Sequence, residues 1–503
     1  MTMPDLARDP RVRFTLVISS LVCLNAMACG GAGGDVEHPS GGSSAPGGAP
    51  DETGGSGVDS SGGKTSGGGA VNSGGTAGSG VSGCGLNSAA FCDTFDAASS
   101  NNGRAGDLDS AFWSAGRLKP QLPTKPAPFV AAAAAAPEGC REGLGKKILP
   151  PYDILVCAPT QGIPDSHLFI STSLQNYGVN SVRVKQPFDF AGRTGKVVFD
   201  GELTTTSLLY GFVSLAITED PVDATSFSLY QNNEGGALPR NAITFQFQEP
   251  CFDAGVNLSS IVLMDEYVQE IHSFDSGSCI SRARGQLSHV EVEISESHVR
   301  VLAGALGRTP ELIQELDVEL PFSRGYVQLN VHNHATLKYG SEDGAYAQPF
   351  VAWTARFDNV GFDGPEIEDF REYEYPDSLE DAGDEGVAVG YLLSGSPRSF
   401  EFTDVDAAGL DRGVLSFSLW VNQIDVNSPA INYRINGGAT HQRELTDFEI
   451  NLDGVGQGAM ALSLDVQPSE LVKGKNKVEV WTSGIGDGYP PALANLNLVL
   501  LRN

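Results

Sequence analysis

The sequence predicts an all-β protein carrying two β-sandwich (jelly-roll) domains, and three observations lead there. From Ser181 to Gly361 the chain consists of short runs in which apolar and polar residues alternate, separated by Gly, Pro, Asn and Asp. A second family of such runs, between Ser399 and Leu500, accommodates about eight strands in a length suited to one sandwich. At 503 residues the chain is too long for one ordinary domain, yet 61 glycines and only 19% charged residues show that part of its length cannot build a core.

The N-terminus reads as an export signal. Arg8, Arg11 and Arg13 precede an apolar core, Phe14 to Leu24, whose 11 residues match a signal peptide and fall short of the roughly 20 that span a bilayer. Ala26, Ala28, Cys29 and Gly30 follow, and the stretch resembles the lipobox of bacterial lipoproteins. That resemblance implies cleavage after residue 28, acylation of Cys29 and display on the cell envelope, at the outer membrane or cell surface. A plain secretory signal or an uncleaved anchor is the alternative. Residues 30–83 hold 21 Gly and 10 Ser with no aromatic residue, Leu or Ile, so they bury too little apolar surface to offset ordering. They are expected to be a disordered tether with a mean reach of about 40 Å and a taut limit near ~180 Å. The expected organisation is therefore a signal peptide at 1–28, a lipidated cysteine and linker at 29–83, a first sandwich at 84–365, an acidic linker at 366–380 and a second sandwich at 381–503.

A net charge of −30 repels phosphate backbones and anionic headgroups, which excludes nucleic acid and leaves the lipid anchor as the only membrane contact. Beyond Cys29, the cysteines Cys84, Cys92, Cys140, Cys157, Cys251 and Cys279 form an even set, which in an exported chain reads as disulfides. Six cysteines allow 15 pairings. Neighbour pairing, Cys84–Cys92, Cys140–Cys157 and Cys251–Cys279, closes the shortest loops and is the expected set.

The first sandwich opens with Phe91-Cys92-Asp93-Thr94-Phe95-Asp96 and then Leu108-Asp109-Ser110-Ala111-Phe112-Trp113. This phrase resembles the opening of the concanavalin A-like lectin and glucanase superfamily, and Asp358 to Pro365 is similar to the closing strand of such sandwiches. The resemblance implies a jelly roll and either glycan binding or glycan hydrolysis. Within it, Ile243, Phe245 and Phe247 share one strand face, leaving Thr244, Gln246 and Gln248 on the other. Gln328, Asn330, His332 and His334 likewise form the polar phase of the run starting at Val327. Such rows are either an ordinary solvated face or, because amides and imidazoles present donors and acceptors in line, a surface for sugar hydroxyls.

In the second sandwich Leu471 to Val480 resembles a hairpin of galactose-binding-like modules. Two tryptophans fall on polar phases: Trp420 with Ser416 and Ser418, and Trp481 with Lys477 and Glu479. A tryptophan there is either covered by another domain or serves as an apolar platform for a ligand such as a sugar ring.

Chemistry is less evident. Glu291, Glu293 and Glu296 match the spacing of the laminarinase-like glutamate signature, with Glu293 in place of the central aspartate, and the resemblance implies Glu291 as nucleophile and Glu296 as acid/base. Alternate strand residues sit about 6.6 Å apart, wider than the roughly 5–5.5 Å of a retaining pair, so a bulge would have to bring them together. A decorated strand is the better reading. His332 and His334 lack a third ligand, so no metal site is assigned. Calcium is an optional ion for which Asp107, Asp109, Asp358 and Asp363 are the available donors. The expectation is a lipid-anchored envelope protein that binds a polysaccharide or cell-surface glycan, with a glycoside hydrolase or a structural adhesion protein as the alternatives.

Overall fold

The computed structural model describes residues 84–97, 104–105, 107–118, 154–160, 163, 165–171, 178–202, 211–225, 237–251, 255–264, 267–272, 279–281, 287–333, 354–367, 369–376, 390–421, 429–446, 449, 458–485 and 490–502. Cys29, the signal peptide and the tether lie outside these residues, as do Cys140 and His334. Strands dominate, and the all-β expectation holds.

Among the described residues, four sheets form two sandwiches within one compact unit. An eight-stranded sheet centres on Ser288–Ile294, Gly195–Glu202 and Thr354–Asp363. It packs on a nine-stranded sheet centred on Ala242–Cys251, Gly211–Thr218 and Arg324–Asn333. Val290, Val292 and Ile294 from the first meet Ile243, Phe245, Phe247 and Leu329 from the second in one buried core. Phe199 and Phe247 touch edge to face across it, with ring centroids 6.0 Å apart.

The second sandwich pairs a six-stranded sheet, which includes Arg412–Val421 and Ala492–Leu501, with a four-stranded one. The latter orders its strands Arg398–Val405, Gly474–Ser483, Ala430–Ile435 and His441–Glu444. Leu415, Phe417 and Leu419 face Ile431, Tyr433, Val478 and Val480 across the core. At the hairpin before Gly474–Ser483, the Asn476 amide accepts from Val472 N at 2.8 Å and donates to Val472 O at 2.7 Å, which explains an Asn at that turn.

The opening phrase earns its residues by packing. Trp113 is fully buried, its ring 5.4 Å from Phe91 and 5.9 Å from Phe95, and its indole N–H donates to Asp93 at 2.7 Å. Cys84 and Cys92 form the expected disulfide, and Cys157 is also disulfide-bonded. Cys251 and Cys279 lie in strands, with side chains outside the described set.

Two boundaries differ from expectation. The stretch read as an acidic linker contains the strand Phe370–Glu374, which pairs with Ala492–Leu501 in the second sandwich. Its Tyr373 enters that core, while Glu372 and Glu374 turn outward to buried cations of the first sandwich. The acidity that suggested a solvated spacer supplies counter-charge instead. Ala237–Leu238, inside the first sandwich by sequence, pairs in parallel with Ala459 and Met460 of the second.

The two sandwiches share a polar join around Asp223, which is 1% exposed. Its carboxylate accepts from Arg183 at 2.7 Å, Arg104 at 3.1 Å, Ser114 at 2.9 Å and Asn497 at 2.6 Å. Burial pushes its pKa upward, yet Arg183 and Arg104 overcome this and hold it below the usual carboxylate range. Arg183 also reaches Glu372 at 2.6 Å. Gly116 makes the close approach possible: a Cβ there would stand 2.6 Å from both Ala224 N and Asp223 Cβ.

Candidate functional site

The described part of the polar phase of the nine-stranded sheet, expected to meet sugar, is buried. Thr244, Gln246, Gln328, Asn330 and His332 are each at most 2% exposed. Gln328 accepts from the Thr225 hydroxyl at 2.9 Å and donates to the Val222 carbonyl and to Thr218, while Asn330 donates to Ser214 at 3.3 Å. The physical reason is that the 221–225 segment lies over Gln328 and consumes its hydrogen-bonding capacity inside the protein. The Gln248 side chain lies outside the described set. On Arg412–Val421, Ser416 and Ser418 are also buried, donating to Pro221 O at 2.8 Å and Asp223 O at 3.2 Å, so the phase shared by Trp420 is the join and not a wet surface. The Trp420 side chain lies outside the described set.

Glu291 and Glu293 sit in ion pairs, and Glu296 lies beyond their strand at a turn. Ser288–Ile294 runs in unbroken register with both neighbours, so the bulge needed to bring Glu291 and Glu296 together is absent from that strand. Glu291 binds Lys196 at 2.6 Å and His289 at 3.2 Å, and Glu293 binds Arg300 at 2.7 Å. Burial works to raise the Glu291 pKa, but the bonds from Lys196 and His289 leave it below the usual range. Glu296 sits exposed at the turn, where its backbone carbonyl accepts from Leu320 N. These residues are a decorated outer face.

The calcium donors are similarly spent. Asp107 accepts from Val156 N at 3.2 Å, Asp109 from Ala111 N at 2.9 Å, and Asp363 from Arg193 at 2.9 Å and Lys196 N at 2.8 Å. Among the described residues no three His, Cys, Asp or Glu side chains converge as a metal site. Asp358 stands apart. It is 3% exposed, accepts from Asn359 N at 2.7 Å and lies opposite Asp200, and burial pushes its pKa up to about 7.

One expected residue remains on an open face. Val478 and Val480 point into the second core, which turns Lys477, Glu479 and Trp481 to the outer side of the four-stranded sheet. Trp481 is half-buried and lies opposite Asn432, while Glu479 lies opposite Arg434 on one side and Ser399 on the other. Gln442, exposed, faces Asn432 from the edge strand. The Arg434 guanidinium stands over the Trp481 ring, 5.8 Å from its centroid. Glu479 accepts from Arg434 Nε, from Lys477 at 2.9 Å and from Ser399 at 3.5 Å. The bonds from Arg434 and then Lys477 bring its pKa down to about 2, so the face keeps its charges across the ordinary pH range.

The result is a half-buried indole with the Arg434 guanidinium over it and Asn432 opposite it, the Asn432 amide donating to Ser483 at 2.9 Å, and with the exposed Gln442 one strand further out. Chemically it suits a ligand with an apolar face and polar edges. Sequence reasoning found Trp481 and missed Asn432, Arg434 and Gln442. The signal was present in the run Ile431 to Ile435, whose polar phase is Asn432 and Arg434, but strand pairing was needed to bring it beside Trp481.

No protein-family model and no curated protein matches the chain. Among solved structures it is similar to LamAcat from Zobellia galactanivorans, at 14% identity over 56% of this chain and 100% of that one, with a TM-score of 0.35. It is similar to the carbohydrate binding module CBM66 from Bacillus subtilis, at 12% identity over 39% and 91% of the two chains, TM-score 0.24. Lectin II from Ulex europaeus aligns at 8% identity over 42% and 93%, TM-score 0.28. Likeness at this level leaves the functional reading to the side chains of this chain.

Proposed function

We propose that this chain is a lipid-anchored cell-envelope protein that binds glycan on the outer face of its four-stranded sheet. The observation that carries the reading is the half-buried Trp481 beside Arg434 and Asn432, with Gln442 one strand further out. A pyranose presents an apolar C–H face to an indole and hydroxyls to surrounding donors and acceptors, and this arrangement offers both. The lipobox-like segment ending at Cys29 supports the anchor, and the Gly/Ser tether supplies about 40 Å of reach to place the sandwiches away from the headgroups.

The test is retention of the detergent-solubilised full chain on a polysaccharide array. Retention that falls at least tenfold in Trp481→Ala, with an unchanged melting temperature, supports the site. Absence of retention on every glycan, or retention indifferent to Trp481, overturns it. For the anchor, Cys29→Ala is expected to move the protein from the membrane fraction to the soluble exported fraction.

A further inference from the structure

We propose that the sugar bound at the Trp481 face carries a carboxylate and that Arg434 is the residue that reads it. The inference rests on the glycan reading above and narrows it to uronic acid-containing polysaccharide.

The division of labour within the Arg434 guanidinium carries it. Glu479 takes up Nε, and the same carboxylate also accepts from Lys477 and Ser399, so it is engaged within the sheet. The two terminal nitrogens of Arg434 make no bond to protein among the described residues, and the side chain is 36% exposed. Glu479 thus works as a positioning group, holding one edge of a planar cation so that its other edge is presented beside the indole, 5.8 Å from the ring centroid. A sugar ring lying on Trp481 brings its substituents to that edge.

Two parallel N–H donors fixed in one plane match a carboxylate in bidentate fashion, a geometry that the point charge of a lysine does not reproduce. A neutral hydroxymethyl group at the same ring position would leave the guanidinium edge to water and gain nothing from its charge. The rest of the chain works the other way. At a net charge of −30 the molecule repels polyanions in general, so an acidic glycan held here needs a local, directed cation, and the open Arg434 edge supplies one.

The experiment measures binding of the detergent-solubilised full chain to polygalacturonate, to the same polymer fully methyl-esterified, and to dextran sulfate, for the native sequence and for Arg434→Lys and Trp481→Ala. Arg434→Lys keeps a cation for Glu479, and its melting temperature checks that the sheet is intact. The expected result is binding to polygalacturonate that weakens at least tenfold on esterification and at least tenfold in Arg434→Lys, and disappears in Trp481→Ala. Equal binding of acid and ester forms, unaffected by Arg434→Lys but abolished by Trp481→Ala, overturns the carboxylate reading and leaves the glycan site standing. Binding of dextran sulfate as tight as that of polygalacturonate overturns it in favour of unspecific charge attraction. No binding to any glycan removes both readings together.

Discussion

Two polar sheet faces in this molecule are written in the same sequence grammar and meet opposite fates. On the nine-stranded sheet, Gln328, Asn330 and His332 alternate with core residues and end up sealed, at most 1% exposed. On the four-stranded sheet, Asn432, Arg434, Glu479 and Trp481 alternate in the same way, and although Asn432 and Glu479 are buried among their neighbours, Arg434 and the half-buried Trp481 keep part of their surface in solvent. The difference teaches that period-2 patterning identifies which side of a strand avoids its own core, and says nothing of whether another part of the chain will lie over that side. The first face is covered because a loop and a second sandwich arrive on it with matching hydrogen bonds.

The comparison can be broken most forcefully at the join. Asp223→Ala leaves Arg104 and Arg183 buried with a partner removed, and is expected to destabilise by about 3–5 kcal/mol in chemical denaturation. A loss under about 1 kcal/mol would show that the join is not what holds the sealed face shut.

Next comes the outer face of the eight-stranded sheet, where Asp358 is buried opposite Asp200 and no cation pairs with it among the described residues. Its raised pKa, about 7, means the native state keeps a proton that the unfolded chain releases near pH 4, so stability falls as pH rises from about 4 to 7 and levels off above. His289 acts in the same direction: its bond to Asp200 raises its pKa, and that contribution is complete below about pH 6.5 and lost as pH rises through the folded value. Asp358→Asn is expected to stabilise by about 2–4 kcal/mol at pH 8, with the gain shrinking toward pH 4. Melting temperatures across that range check the sign, and a pH-independent difference would refute the account.

Gln328→Ala strands the Val222 carbonyl and the Thr225 hydroxyl and should cost about 1–3 kcal/mol while leaving glycan retention unchanged. Loss of retention without loss of stability would return the sealed face to the list of binding surfaces. Smallest in stability terms is Trp481→Ala on the open face, expected within about 1 kcal/mol of the native chain by thermal melting while retention collapses.

Much of the scaffold was legible. Runs such as Ala242 to Gln248, Val290 to Ile294 and Lys477 to Trp481 fall within observed strands, because alternation reports directly on which side meets a core. The Cys84–Cys92 disulfide was legible from its short loop. The site was legible in one residue, Trp481, whose partners Asn432 and Arg434 stand about fifty positions away and reach it only through strand pairing. Glu372 and Glu374 misled, since acidic residues beside Tyr and Pro suggest a solvated spacer when their cationic partners, Arg183, Lys185 and Arg104, are remote in sequence.

By itself the sequence determined the all-β character and the in-or-out phase of strands such as Ala242–Cys251, Ser288–Ile294 and Gly474–Ser483, because these depend on residues one or two positions apart. It equally determined the excess of negative charge, which is a sum over residues and needs no fold. Only the tertiary structure decided which polar phase stays wet, because covering a face takes a partner from elsewhere in the chain: Asp223 to gather two arginines, and Gly116 small enough to let it approach. Burial of polar groups is settled by whether their hydrogen bonds are met after contact, a condition that no local pattern encodes.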